Sequence, residues 1–286
     1  KNMAASVQKI YEYYFEKIIK EINNKNFSSN LVYAGGCALN SSANKILTQN
    51  TKYFKDVYIT YAPGDNGGAL GAAFVVSAKY SDIKINFENP YLGPQFSNKQ
   101  IESVINKDDY LNKISYELVD DTKLYELASK LISENNVIGW FQDKMEFGPR
   151  ALGNRSILAD PRNPKMKDII NSKIKRRESF RPFAPSVLFD YQNEWFEDNY
   201  FNPYMSSLAL VRENKKNLVP AITHIDGTAR LQSVKIETNP KFYNLIRSFY
   251  NLTKVPIILN TSFNENEPIV MKPEEALNCL LRTDMD

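Results

Sequence analysis

The pattern of apolar and polar positions at the start of the chain predicts one amphipathic helix and then two similar units, each with a short strand, a glycine turn and a helix. Apolar residues recur at helical spacing from Val7 to Ile22 with charged residues between them, which predicts an amphipathic helix over 4–23 that packs on the next part of the chain. Two further units each have a short apolar run, a glycine turn and a second helix: NLVYAGGCALNSSANKILTQ and KDVYITYAPGDNGGALGAAFVVSAKY. Two strand, loop and helix units in succession predict an α/β domain.

A weakly patterned stretch separates this domain from a second one. Residues 81–113 contain Pro90 and Pro94 among scattered polar residues, with one predicted helix near 98–106. We therefore expect a first domain at 1–85, a linker at 86–113 and a second α/β domain at 114–286. The second pattern begins at SYELV, and it predicts helices at 121–134, 164–173, 240–250 and 273–281 and strands in NVIGWFQ, PSVLF, SSLALVR, ARLQSV and VPIILNT.

Composition and charge narrow the possible functions. The 286 residues carry a formal net charge of +3, so the molecule as a whole is not a polycation suited to nucleic acid, and any anion binding must be local. Cys37 and Cys279 lie far apart and outside any CxxC spacing, which fits a reducing compartment, and we expect a cytoplasmic protein. No stretch is apolar for long enough to predict a membrane span. The chain begins at Lys1 inside a helical pattern, and we expect a piece of a longer protein.

One segment concentrates the candidate chemistry. In MEFGPRALGNRSILADP, residues 145–161, Arg150 and Arg155 stand among glycines and prolines. Arginine presents a planar fork of donors that matches phosphate or carboxylate, and Gly148 and Gly153 would let the backbone approach a ligand. We call residues 145–161 the arginine segment and predict that it grips an anion; a surface turn with solvated arginines is the alternative.

Glycine turns in the first domain provide a second group of candidates. Gly35 and Gly36 lie between a predicted strand and a helix, where free N–H groups and the helix dipole favour a phosphate. Asn40 and Asn44 would add side-chain donors, although close packing of strand on helix also explains a glycine pair. Asp65, at the end of the next predicted strand, is a candidate ligand for a metal or a ribose, or else a helix N-cap.

Basic residues before a later strand form a third group. Lys175, Arg177 and Arg181 immediately precede PFAPSVL, a proline-bounded strand that would fix them in place. We expect a clamp for a polyphosphate or an acyl phosphate there, whereas the neighbouring lysines suit a solvated helix face. Basic clusters that would extend this face for nucleic acid are absent from the sequence.

Polar turns near the C-terminus complete the set of candidates. His224, the only histidine, stands in a polar turn with Arg230, either as a catalyst or as a hydrogen-bonded structural residue. A zinc site or a Ser-His-Asp triad within this chain is therefore not expected. Asn260, Ser262 and Asn264 end an apolar strand, where α/β sheets present groups to ligands, or they form a simple polar turn.

Six stretches carry a resemblance that covers almost the whole chain: AGGCALNSSAN, APGDNGGALGAA, MEFGPRALGNRSILADPR, SFRPFAPSVL, THIDGTARLQSV and ILNTSFNENEPIV. In this order they resemble the carbamoyltransferase family that includes nodulation and antibiotic-tailoring O-carbamoyltransferases. The resemblance implies the last part of a Kae1-like domain, of the actin/Hsp70 ATPase class, followed by a YrdC-like domain. The first half of the Kae1-like domain would be missing from this chain.

The resemblance also implies a two-step reaction. Carbamoyl phosphate and ATP, the latter with Mg²⁺, would form carbamoyl adenylate in the YrdC-like domain, and the carbamoyl group would pass to a hydroxyl of a small-molecule acceptor at the Kae1-like site. The residues implied as catalytic are Arg150, Arg155, Lys175, Arg177, His224 and Arg230, and those implied to bind nucleotide or phosphate are Gly35, Gly36, Asn40, Asn44, Arg181, Asn260, Ser262 and Asn264. Asp65 would be one ligand of an iron or similar metal whose partner histidines lie in the missing half of the same protein.

Two other functions share part of this pattern. A threonylcarbamoyl-adenylate synthase would use similar YrdC-like chemistry, although FGPRALGNRSILADPR and the glycine-rich first unit argue against it. A non-catalytic nucleotide-binding module would use the same basic loops without turnover. An anion clamp requires Arg150 and Arg155 to approach the other basic residues in space, whereas arginines on separate faces would favour a solvated turn; the other basic residues are Lys175, Arg177, Arg181, His224 and Arg230.

Overall fold

The computed structural model describes residues 2–49, 52–82 and 86–286 and confirms the predicted α/β class. Its N-terminal unit has a parallel pair of strands, three α-helices and a 3-10 turn at Gly36–Leu39, and both predicted units of strand, glycine turn and helix are present. The elements of this unit are α1 (Asn2–Asn24), β1 (Asn30–Tyr33), α2 (Ser41–Thr48), β2 (Asp56–Ile59) and α3 (Asp65–Tyr80).

Helix α1 confirms the predicted element but packs through a different face from the one expected. Phe15 and Ile19 are its buried residues and belong to a cluster with Leu47 of α2, whereas Val7 and Ile18 remain more than half exposed. A two-stranded sheet and one short helix offer enough surface to cover only one side of α1. The apolar stripe from which this helix was predicted is therefore uncovered in the part of the chain that the structure describes.

The second domain is built on a five-stranded mixed sheet. Strands in this part of the chain are β3 (Ile138–Phe141), β4 (Arg155–Ala159), β5 (Ala184–Leu188), β6 (Ala209–Leu210), β7 (Thr228–Ala229), β8 (Gln232–Val234) and β9 (Ile257–Ser262). The sheet has the order β3-β4-β9-β5-β8, in which only β5 and β8 run parallel, and β6 and β7 form a separate antiparallel pair.

The described part of the chain after residue 86 has seven α-helices. They are α4 (Asn98–Ile105), α5 (Asp108–Leu111), α6 (Asp121–Ser133), α7 (Met166–Ile169), α8 (Gln192–Trp195), α9 (Pro240–Thr253) and α10 (Pro273–Arg282). Helices α6, α9 and α10 confirm the predicted ones, and α7 continues into a π-helical turn over Ile170–Ile174. Phe242 and Phe249 of α9 and Ile258 of β9 lie fully buried in the core. No helix in the described ranges combines the length and apolar character needed to cross a membrane.

Part of the arginine segment is a buried strand, which the sequence pattern did not reveal. Every residue of β4 is buried, and β4 pairs with both β3 and β9. Five residues are too few to show a periodicity, and the glycines just before them predicted a loop instead. SYELV, residues 115–119, where the second pattern was expected to begin, has no regular secondary structure.

Part of the expected linker is built into the second domain. The Gly93 amide donates to the carbonyl oxygen of Met145 at 2.9 Å, and the Met145 amide donates to that of Pro94 at 3.0 Å. The Phe147 amide in turn donates to the carbonyl oxygen of Pro90 at 2.7 Å. Residues 90–94 therefore line up along the first residues of the arginine segment.

Candidate active site

One edge of the five-stranded sheet gathers the candidate residues. The chain enters β4, β5 and β8 at this edge and leaves β9 there, because β9 is antiparallel to β4 and β5, and β8 is parallel to β5. Residues just before those three strands, or just after β9, must lie at the same end of the sheet. They include Arg150, Arg177, Arg230 and Asn264.

Three arginines lie close enough for their charges to repel one another. Burial first, and then the charges of Arg150 and Arg177, lower the pKa of Arg230 to about 9. The Nε of Arg230 is buried and has no hydrogen-bond partner among the described residues. Burial also lowers the pKa of the Arg150 guanidinium. Partly buried cations that repel each other are stabilised by an anion between them, so this arrangement is the one expected of an anion clamp.

Lys175 lies beside these arginines with its ammonium held by neutral oxygens. Its Nζ donates to the carbonyl oxygens of Ser262 and Asn264, both at 2.6 Å, and to Oδ1 of Asn264 at 2.7 Å. Burial, and then the charge of Arg177, lower the pKa of Lys175 to about 7. The structure thus brings the basic residues that precede β5 and the polar turn that follows β9 into one cluster.

Arg177 and Arg181 occupy different depths. The Arg177 guanidinium carbon lies 5.0 Å from the centroid of the Phe183 ring, and Nε donates to Oδ1 of Asn171 at 2.7 Å. Burial, and then the charge of Arg181, lower the pKa of Arg177. Arg181 itself is exposed and pairs with Glu178 at 2.9 Å. Arg177 therefore belongs to the buried cluster, and Arg181 lies at its outer rim.

His224 joins the cluster as a largely neutral group. Its Nδ1 lies 3.0 Å from Oγ1 of Thr228, which also donates to Oδ1 of Asp226 at 2.7 Å. Burial is the main cause that lowers the pKa of His224, the charges of Arg230 and Lys167 lower it further, and only Asp226 opposes them. The imidazole is therefore suited to hydrogen bonding rather than to holding an anion by charge at neutral pH.

Arg155 is engaged elsewhere, which corrects the expectation that it faces the anion. Its guanidinium carbon lies 3.6 Å from the centroid of the Phe141 ring, and its side chain is fully buried. The guanidinium donates to four backbone carbonyl oxygens, those of Pro94, Gln142, Asp143 and Asn154. Because the chain turns into β4 at this residue, the side chain folds back under the loop and holds residues 142–154 to residues 90–94.

A buried carboxylate organises the loop that carries Arg150. Oε1 of Glu146 accepts the backbone N–H groups of Leu152 at 2.6 Å, Asn154 at 2.8 Å and Arg155 at 3.3 Å. Burial raises the pKa of Glu146, and these backbone hydrogen bonds oppose that rise. One carboxylate therefore closes the loop on itself and presents Arg150 at its tip. The sequence signal was an acidic residue between two apolar ones in a basic segment.

Polar side chains from the strands of the sheet donate hydrogen bonds to the backbone of the same loop. The Nδ2 of Asn260 donates to the carbonyl oxygen of Ala151 at 3.3 Å, and Nε2 of Gln232 donates to that of Leu152 at 2.9 Å. Asn260 was expected to bind phosphate, but its amide donors are used within the protein because it lies mid-strand and not beyond the sheet edge. Gln232, a polar residue in the apolar strand β8, was not among the residues predicted from the sequence.

The two glycines of the loop serve contacts within the protein. Gly148 has φ of 140°, and a Cβ there would lie 2.4 Å from the carbonyl oxygen of Tyr61. Gly153 has φ of 104°, and a Cβ there would lie 2.3 Å from the Phe242 ring. We expected these glycines to admit a ligand, and the structure corrects this expectation. Gly148 allows the close approach of the Tyr61 backbone, which follows β2, and Gly153 allows that of the Phe242 ring of helix α9.

Asparagines of the N-terminal unit are also engaged internally. Oδ1 of Asn40 accepts the amide of Ala43 at 3.2 Å and so caps α2. The buried Asn44 donates from Nδ2 to the carbonyl oxygens of Ala38 and Ser206, both at 2.7 Å. The structure corrects their expected role as phosphate donors, because Nδ2 of Asn40 donates to Oε1 of Gln8 at 3.1 Å and Asn44 ties the turn to the second domain.

The glycine turn itself is open. A Cβ on Gly35 or Gly36 would meet no atom within 4 Å among the described residues, so close packing does not explain this pair. Gly36 and Asp65 line a cavity of about 400 Å³ together with Gly148 and Pro149 of the arginine segment. The N-terminal unit therefore faces the second domain across an open cleft.

Asp65 is the first residue of α3 and is exposed. In the ranges 2–49, 52–82 and 86–286, no group of three or more histidine, cysteine, aspartate and glutamate side chains is arranged to hold a metal ion. A single carboxylate does not make a resident metal site. The role of Asp65 as one ligand of the metal implied by the resemblance therefore stays a prediction.

The sequence of the chain matches one family along most of its length. Residues 129–286 match the family model described as carbamoyltransferase C-terminus, and residues 1–74 match the one described as carbamoyltransferase N-terminus. The chain therefore belongs to the carbamoyltransferase family, as the resemblance implied.

Curated relatives share this similarity over the whole chain. The chain is 42% identical to an uncharacterized protein of Synechocystis and covers 50% of that protein. It is 40% identical to the nodulation protein NolO of Bradyrhizobium diazoefficiens and covers 53% of it. Its identity to the nodulation protein NolNO of Sinorhizobium fredii is 41%, with 42% of that protein covered. The chain spans about half the length of the curated relatives it matches.

Proposed function

We propose that this chain forms carbamoyl adenylate from ATP and carbamoyl phosphate and takes part in transferring the carbamoyl group to a hydroxyl of a small-molecule acceptor. Carbamoyl phosphate is first hydrolysed to carbamate and inorganic phosphate. A carbamate oxygen then attacks the α-phosphorus of ATP, and pyrophosphate leaves. The acceptor hydroxyl finally attacks the carbamoyl carbon, and AMP leaves. Membership of the family supports carbamoyl transfer, and the site supports the dependence on ATP.

The observation that carries this proposal is the convergence of Arg150, Arg177 and Arg230 with Lys175 at one sheet edge. Four basic side chains converge there, and both the pKa of Arg230 and that of Lys175 are lowered by burial and by neighbouring arginine charges. Both co-substrates are phosphates, and pyrophosphate leaves with additional negative charge. Fixed cations that are already oriented stabilise such charge without reorganisation in the transition state.

The residues have distinct roles in this proposal. Arg150 and Arg230, which lie on opposite loops, hold the phosphates, and Arg177 adds charge next to Lys175. Lys175 is buried and its three N–H groups are used by the turn after β9, so it acts on the phosphates through its charge and not through a direct hydrogen bond. Mg²⁺ arrives with ATP as part of the substrate.

Pyrophosphate exchange tests adenylate formation directly. Labelled pyrophosphate should enter ATP when the protein is incubated with ATP, Mg²⁺ and carbamoyl phosphate, and not when carbamoyl phosphate is omitted. Arg230→Met should abolish the exchange, whereas Arg247→Met, on the exposed face of α9, should leave it unchanged. Nucleotide binding without exchange would instead support a nucleotide-binding module. Exchange that requires threonine and bicarbonate would support a threonylcarbamoyl-adenylate synthase.

The acceptor site in this proposal lies across the cleft between Gly36, Asp65 and the arginine segment. The cleft is open, and curated relatives are about twice as long as this chain. We assign the remaining acceptor contacts and the metal ligands to the other half of such a full-length protein. Addition of the matching half from a full-length relative should convert exchange activity into transfer to a hydroxyl acceptor.

A further inference from the structure

A buried hydroxyl without a partner lies between the N-terminal unit and the arginine cluster. Tyr61 follows β2 and is only 3% exposed, yet its hydroxyl has no hydrogen-bond partner among the residues that the structure describes. Burial raises the pKa of Tyr61 to about 12, so the phenol is neutral at physiological pH. A buried hydroxyl in a native protein normally finds a partner, and a ligand or a water molecule supplies it when the protein does not.

The surroundings of Tyr61 indicate what that partner is. Tyr61 and Arg150 line one cavity of about 10 Å³, which has room for a single water-sized group. Leu39 and Pro149 line both this cavity and the larger cleft in front of Asp65. The small cavity beside Tyr61 therefore lies between the arginine cluster and the open cleft.

We propose that Tyr61 determines specificity for the carbamoyl group, its hydroxyl accepting a hydrogen bond from the carbamoyl amino group while Arg150 holds the adjoining phosphate. This inference rests on the proposed function and deepens it. The arginines match the charged end of carbamoyl phosphate, and a neutral hydroxyl matches its uncharged amide end. An amino group is about the size of a water molecule and fills the cavity.

The arrangement also explains how acetyl phosphate is rejected. Acetyl phosphate has the same shape but carries a methyl group where carbamoyl phosphate carries the amino group. A methyl group in the cavity would leave the Tyr61 hydroxyl buried and unpaired, and a site built around a hydrogen bond discriminates strongly against an analogue that lacks it.

Two stable phosphonates test the assignment without any turnover. Phosphonoacetamide carries the amide end, and 2-oxopropylphosphonate carries a methyl ketone of the same size. Calorimetric titration of the whole chain should show that it prefers phosphonoacetamide by about tenfold, the scale of one neutral hydrogen bond. Tyr61→Phe removes only the hydroxyl and should bring the ratio of the two dissociation constants close to unity, mainly by weakening the binding of phosphonoacetamide.

Tyr204→Phe is the matched control. Tyr204 lines the same cavity, and its ring centroid lies 5.5 Å from that of Tyr61, but its hydroxyl already donates to the carbonyl oxygen of Glu88 at 2.7 Å. This variant should keep the wild-type preference. Far-UV circular dichroism of both variants should match the wild type and so verify that the fold is intact.

Each outcome of the titration either supports or overturns the assignment of Tyr61. An equal preference in the wild type and in Tyr61→Phe, or no preference in the wild type, overturns the assignment of Tyr61. A wild-type chain that binds neither phosphonate overturns it together with the anion site of the proposed function. Discrimination that Tyr61→Phe abolishes supports Tyr61 even if the exchange assay fails, in which case only the turnover in the proposed function is lost.

Discussion

The Nζ of Lys175 lies 2.6 Å from the carbonyl oxygen of Asn264, although 89 positions separate the two residues in the chain. Its acceptors in Ser262 and Asn264 are all neutral oxygens. The ammonium is thus oriented by neutral oxygens, and it can act on an incoming phosphate through its charge, which the charge of Glu267 partly offsets. Because its pKa lies near 7, the charge also depends on what is bound.

Binding of a phosphate ligand should therefore take up a proton. The pKa of Lys175 is lowered to about 7 in the free protein, and a bound anion raises it again by favouring the charged form. At about pH 8, titration with pyrophosphate in buffers of different ionisation enthalpy should show up to about one proton taken up per ligand. Lys175→Met should remove this uptake. An apparent enthalpy that is the same in every buffer would contradict the role of Lys175.

Stability of the ligand-free chain should rise with pH above neutrality. The unfolded chain holds the Lys175 proton up to about pH 10, while the folded chain releases it near 7, so the unfolded state binds more protons between these values. The unfolding free energy should then increase by about 2 kcal/mol between about pH 7 and about pH 9 in urea denaturation. Lys175→Met should show a flatter dependence; equal slopes would rule out a proton change at this lysine.

Arg150→Ala should slow the reaction and leave the fold intact. Arg150 lies at the tip of its loop, and burial lowers its pKa in a cluster of like charges. Removing one preorganised donor should cost about 2 to 4 kcal/mol of transition-state stabilisation in the pyrophosphate exchange rate. The thermal midpoint should stay close to that of the wild type or rise. A variant with full exchange activity would show that Arg150 does not touch the phosphates.

Arg155→Met should have the opposite effect. The change removes the guanidinium from four carbonyl oxygens, of which those of Pro94 and Asn154 keep a backbone donor, so the free energy of unfolding should fall by about 3 kcal/mol in denaturant titration. Any loss of exchange should follow the loss of folded protein. If Arg155→Met instead kept wild-type stability and lost only activity, the sequence-based assignment of Arg155 to the anion site would stand.

Gly148→Ala and Gly68→Ala form a matched pair. At Gly148, where φ is 140°, a Cβ would lie 2.4 Å from the carbonyl oxygen of Tyr61, so the loop must shift in the alanine variant. The free energy of unfolding should fall by about 1 to 3 kcal/mol, and pyrophosphate should bind more weakly. At Gly68, in α3, a Cβ meets nothing within 4 Å, and alanine should stabilise by up to about 1 kcal/mol. Similar thermal midpoints for the two variants would show that the Tyr61 contact is not tight.

The sequence predicted the long elements well because their periodicity is strong. Helices α6, α9 and α10 begin and end within a few residues of the expected positions. Strand β4 was missed because five buried residues after a glycine carry no period. Helix α1 was found, but its covered face was assigned wrongly, since an apolar stripe does not reveal whether its partner is present.

The sequence indicated which residues could belong to the candidate site but not where they meet in space. Lys175, Arg177 and Arg230 precede strands, and a basic residue at a strand end is visible in sequence. Their meeting place depends on the strand order, which no local pattern encodes. Arg155 and Asn260 were given to the ligand because a polar residue near glycines or at a strand end looks the same whether it faces a phosphate or a carbonyl of its own chain.

The alignment of residues 90–94 with Met145 and Phe147 constrains how the length of this chain can vary. The carbonyl oxygen of Pro94 accepts from both the Met145 amide and the Arg155 guanidinium, so its position along the chain is fixed from two directions. An insertion of one residue between Pro90 and Pro94 would move one of these bonds out of register and shift the loop that carries Arg150. Residues added after Pro94 and before α4 would lengthen an exposed connection without reaching the site. Tolerance to insertion should thus change abruptly at Pro94, because residues 90–94 are bonded to the arginine segment and the residues that follow are not.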